Sequence, residues 1–109
     1  MADEKPVAAQ VEKIMSIKPV EFEAGVVRLD PDAPASATSA SDITTYAVAH
    51  PAAGGAAVRI VFEKLEPAVL GGLMRLPRAK VTLYLEGLSD EARRAFLGIF
   101  DQTFQRGGG

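Results

Sequence analysis

The chain contains no cysteine. Disulfides, thiol nucleophiles and cysteine-ligated zinc or iron–sulfur centres are therefore excluded. Histidine is almost as scarce, with His50 alone. It precedes Pro51 in turn-rich sequence and reads as a surface histidine, because one imidazole does not make a metal site. No serine stands in a nucleophile-elbow motif, so a Ser–His–Asp arrangement on Ser41 or Ser89 lacks its local signature. Neither GxxxxGK[ST] nor GxGxxG occurs. No apolar run approaches the roughly 18–20 residues that a membrane span needs. The start, MADEKPVAAQ, is acidic, lacks a long apolar core and does not read as a Sec signal peptide. There is no excess of positive charge either. The net charge is -2 and the pI about 5.3, which disfavours nucleic acid, whose phosphates need a dense basic surface. These absences lead us to expect a cytoplasmic, non-membrane protein that is no enzyme and carries no cofactor.

What is present is ordinary globular material. The chain has 109 residues, 48% of them apolar and 24% charged, which suits one small domain. Charge is unevenly spread. Residues 1–54 hold four bases (Lys5, Lys13, Lys18, Arg28) against eight acids, a net of -4. Residues 55–109 hold eight bases against six acids, a net of +2. The second half thus presents a mildly positive surface.

From Pro6 the apolar residues Val7, Val11, Ile14 and Met15 follow a helical spacing, and the same stretch also fits an extended arm. In VEFEAGVVRLD, Val20, Phe22 and Ala24 alternate with Glu21 and Glu23, which predicts a strand broken at Gly25 by a bulge or bend. On such a strand Glu21 and Glu23 share a face, more a solvated surface than a cation site. Residues 30–42, DPDAPASATSASD, contain nothing large enough to anchor a core and predict a flexible loop. ITTYAVAH, the turn PAAGG and AAVRIVFEKL predict a β-hairpin. AKVTLYLEGL, residues 79–88, alternates again and predicts a further strand. The last element is a helix from Ser89, an N-cap candidate, with Asp90 and Glu91 in its first turn. Its broad apolar face comprises Ala92, Ala95, Phe96, Ile99, Phe100, Thr103 and Phe104; Arg106 closes it and three glycines stop it. LYLEGLSDEARRAFLGIF resembles the last strand and helix of PilZ-type cyclic-dinucleotide receptors. The R-x-x-x-R arm and D-x-S-x-x-G strand of that family are missing, so no membership follows.

One segment carries a choice of chemistry. In VLGGLMRLPRAKV, residues 69–81, a double glycine stands beside Arg75, Arg78 and Lys80. Arginine forks suit phosphate or carboxylate, so these three side chains form the candidate ligand-binding set. A phosphate loop needs its glycines to open a helix, and here Pro77 and a strand follow. The glycines are therefore expected to make a turn or bulge, and the bases a solvated edge that resists aggregation.

The whole predicts an α+β fold, a small antiparallel sheet of four to five strands with a C-terminal amphipathic helix packed on one face. An N-terminal arm or short helix, partly disordered, covers 1–19; the domain covers 20–106; a disordered tail covers 107–109. Strands with apolar residues on both faces offer more apolar surface than one helix covers. The expected function is a protein-interaction module, with self-association included. The alternative is a small anionic ligand or nucleotide at the 71–80 segment.

Overall fold

Val58, Ile60 and Phe62 alternate with Arg59, Val61 and Glu63, and this stretch forms the spine of the sheet. The computed structural model describes residues 7–72 and 74–105. Five strands pair antiparallel in the order β1-β5-β4-β3-β2. They are β1 (Gln10–Met15), β2 (Thr38–Ala40), β3 (Ile43–Ala49), β4 (Ala57–Leu70) and β5 (Met74–Tyr84). Two helices, α1 (Pro19–Leu29) and α2 (Asp90–Gln105), complete an α+β fold. The expected 43–65 hairpin is β3–β4, with register Ile43↔Glu63 to Ala49↔Ala57. The strand expected at 79–88 runs earlier, over β5, because Leu85 onward turns into α2.

Both helices lie on one face. Val58, Ile60 and Phe62 of β4 and Ala79, Val81 and Leu83 of β5 are buried there, with Phe96, Phe100 and Phe104 of α2. Phe22 of α1 is the hub. Its ring stacks on Phe104 (4.8 Å between centroids, 11° between planes) and sits 4.7 Å from Phe62. The helix expected at the C-terminus is present, and the Ser89 hydroxyl caps it by accepting the Ala92 N–H at 3.1 Å. Ala95, expected on its apolar face, is exposed, and burial narrows to the i, i+4, i+8 stripe of phenylalanines. Arg106 and the closing glycines lie outside the described residues, as do residues 1–6.

Three expectations are corrected. VEFEAGVVRL is helix α1 rather than a strand with a break at Gly25. Pro19 occupies its first turn, and Glu21 reaches back to accept the Lys18 N–H at 3.1 Å, a start signal that period-2 counting overlooks. Phe22, Gly25, Val26 and Leu29 then form the buried i, i+3, i+4, i+7 face, and Glu21 and Glu23 share no strand face. Residues 10–15, read as a short helix or an extended arm outside a domain of 20–106, take the extended form but belong to the sheet as β1, paired with β5 from Gln10↔Tyr84 to Met15↔Ala79. Residues 30–42 are not all loop: Ala33–Ser36 makes a 3-10 turn with Ala33 buried, and β2 pairs with β3.

Candidate functional site: the helix-free face and its ribbon

Residues directly opposed in an antiparallel pair share a face. The register therefore assigns the face of the sheet that neither helix covers. Across it run Ala47–Arg59–Tyr84–Gln10, then Thr45–Val61–Thr82–Glu12, then Ile43–Glu63–Lys80–Ile14. Its polar groups are partly neutralised. Lys80 pairs with Glu63 at 3.7 Å, and Arg59 lies 3.9 Å over the Tyr84 ring. Thr82, at its centre, is only 5% exposed, whereas Ile14 is 58% exposed.

Beyond this patch the flanking strands stop and β4 and β5 continue alone. β3 leaves β4 at Glu63, with the Lys64 N–H donating to the Asp42 carbonyl (2.9 Å). β1 leaves β5 at Ala79, with the Ser16 hydroxyl donating to the Pro77 carbonyl (3.1 Å). From Leu65↔Arg78 to Leu70↔Met74 the sheet is a two-stranded ribbon, about 20 Å long at the usual strand rise. Gly71 and Gly72 stand at its tip, after Leu70 and before Met74, with φ of 62° and 76°. Positive φ at both positions is the region that favours glycine.

A bulge sets which side chains the ribbon shows. Between Leu65 and Ala68 β4 advances three residues while β5 advances two, from Arg78 to Leu76. The extra residue lies at Glu66–Pro67, where proline has no N–H to give the ladder. It reverses the parity of β4. Before the bulge odd residues face away from the helices, and after it even ones do. Leu65, Ala68, Leu70, Leu76 and Met74 thus share the helix-free face as an apolar stripe, with Leu70 49% and Met74 57% exposed.

The three candidate ligand residues do not gather. Arg78 and Lys80 share the helix-free face, and Lys80 is held by Glu63. Arg75, opposite Val69, has the other parity. His50 has a structural task, its Nδ1 accepting the Ala52 N–H at 3.0 Å to cap a 3-10 turn at Pro51–Ala53. On the opposite side a groove of about 560 Å³ runs between α1 and β3, lined by Val20, Glu23, Val27, Pro34 and Tyr46 among others. Burial raises the Tyr46 phenol above its usual pKa, with the charge and hydrogen bond of Glu23 adding to it. Glu23 is the one charged side chain among those lining this groove. Among the described residues no three His, Asp or Glu side chains gather where a metal ion could sit, and no helix is long and apolar enough to cross a membrane.

Sequence reasoning found the turn and the bases but missed the stripe. The available signal was Leu65-Glu66-Pro67-Ala68, an alternation broken by a proline inside a strand. No family model matches the chain, and neither a curated protein nor a solved structure is similar to it.

Proposed function

We propose that this protein is a non-enzymatic interaction module that binds another protein surface through its helix-free face and the β4–β5 ribbon. One observation carries the reading: Leu70 and Met74, 49% and 57% exposed, end an apolar stripe whose inner members Leu65, Ala68 and Leu76 are half-buried, on a ribbon that runs on past the flanking strands. An isolated two-stranded hairpin is marginal in water. Exposed apolar side chains on such an arm gain most from burial against a partner. The alternative, an anionic small molecule at Arg75, Arg78 and Lys80, fits less well, because these bases divide between two faces and Lys80 already has a carboxylate.

The test is site-specific photocrosslinking in the living cell. A photoreactive residue replacing Met74 is expected to give discrete protein adducts, and one replacing the helix-side residue Glu91 is expected to give none. Leu70→Glu should abolish the Met74 adducts. Absence of any adduct at Met74, or adducts indifferent to Leu70→Glu, would remove the proposal.

A further inference from the structure

We infer that the partner is a second copy of this chain, packed face to face so that the two apolar stripes cover one another. This rests on the docking reading above and gives it an occupant. Charge is the first argument. The helix-free face carries Arg59, Arg78 and Lys80 against Glu12 and Glu63. Three bases and two acids leave it close to neutral, although the halves of the chain differ in sign. A face of one sign would select an oppositely charged partner and repel itself. A balanced face meets its own copy without that penalty.

Economy of cover is the second argument. In a two-fold contact the same patch serves both partners, so one interface shields both ribbons. Sheets pack in this way in sandwiches, about 10 Å apart with inner side chains interleaved. Leu65, Leu70, Leu76 and Met74 provide such a surface, and Ile14 and Ile43 extend it across the sheet. Size is the third. The strands β1, β5, β4 and β3, 6, 11, 14 and 7 residues long, outline roughly 600 Å² at about 3.4 Å rise and about 4.8 Å spacing. That reaches the lower end of a standard stable interface, about 600 Å² per partner.

Sedimentation equilibrium and light scattering on the purified chain test this directly. The expected mass is twice the 11.5 kDa of the chain at tens of micromolar. Met74→Glu and Leu70→Glu should each return the monomer while keeping the far-ultraviolet circular dichroism of the parent. Val20→Glu, a change of an exposed residue on α1, should leave the dimer intact. The lack of cysteine allows a second readout that does not require a disruptive change. Val69→Cys, on the ribbon's other face and 58% exposed, bearing a spin label should show an intermolecular dipolar distance, lost on dilution with unlabelled chain. A monomer at every concentration, or a dimer indifferent to both glutamates, overturns the inference. A monomer that still gives photoadducts with a different protein overturns self-pairing alone and leaves the docking reading standing. No adducts at all would end both.

Discussion

Gly25 in the middle of α1 abuts the ring of Phe104 in α2, and a β-carbon at Gly25 would overlap the edge of that ring. The two helices cross there because one side chain is missing. Two effects of opposite sign meet at this position. Alanine normally gains about 0.5–1 kcal/mol over glycine inside a helix. Overpacking a filled core costs about 1–3 kcal/mol, and Phe104 has little room to yield, being stacked on Phe22. Gly25→Ala is therefore expected to destabilise the fold in urea melts. The loss should shrink in a Phe104→Leu background, and a gain in stability for the single variant would contradict this packing.

The N-terminal segment is held to α2 by Asp90, whose Oδ1 accepts the Val7 N–H at 2.6 Å and whose Oδ2 pairs with Arg94 at 2.8 Å. The Val7 hydrogen bond, followed by Arg94, holds the Asp90 carboxyl below its ordinary value of 3.8. A group whose pKa is depressed in the folded state stabilises it above the unfolded pKa. That contribution is full above about pH 5, and it declines as pH falls below the ordinary carboxylate value and through the folded one. Asp90→Asn should flatten the acid limb of stability against pH in this window. An unchanged acid limb would mean that the contact does not persist in solution.

How much of this was legible in the sequence depends on which signals compete. Val58, Ile60 and Phe62 follow one period, and the hairpin was readable. In VEFEAGVVRL two periods coexist: Val20, Phe22 and Ala24 alternate, while Phe22, Val26 and Leu29 repeat helically. The helix prevails because Pro19 and Glu21 start it and Phe22 has an aromatic pocket to enter, which no local count reveals. The ribbon stripe was hidden for a different reason. Face assignment on a strand is reversed by one extra residue, and the bulge is defined by pairing with β5, far along the chain. The bases at 75–80 were visible as types, but their division between faces required the register.

Phe100 is 1% exposed, with its ring 4.6 Å from Phe104 and 6.4 Å from Phe22. Phe100→Ala should cost about 3–5 kcal/mol, a large share of the stability of a small domain. A cost below about 1 kcal/mol in chemical denaturation would place the α2 stripe outside the core.

At the ribbon tip, Gly71 and Gly72 have positive φ, and nothing stands within 4 Å of a β-carbon built on either. The cost of alanine is then one of backbone alone, about 1–2 kcal/mol at each position, and thermal melts should show it. Arg75→Ala and Arg78→Ala, both at exposed positions, should leave stability nearly unchanged. Inorganic phosphate is expected to give the parent no saturable rise in melting temperature. A rise that disappears in the double arginine variant would favour the anion-binding alternative.

The bulge permits a test of whether facing, rather than composition, makes the stripe. Deleting Pro67 leaves Leu65, Glu66, Ala68, Val69 and Leu70 in simple alternation, so Leu65, Ala68 and Leu70 keep the helix-free face without a bulge. Inserting one serine between Val69 and Leu70 instead puts the serine on the helix-free face and moves Leu70 to the opposite one, while adding no charge and removing no apolar residue. The deletion variant is expected to fold and to sediment as the parent does, and the insertion variant to fold and sediment as a monomer. Circular dichroism reports the folding and sedimentation velocity the association. If the insertion variant associated as strongly as the parent, the contact would not depend on which face Leu70 occupies, and the stripe would lose its role.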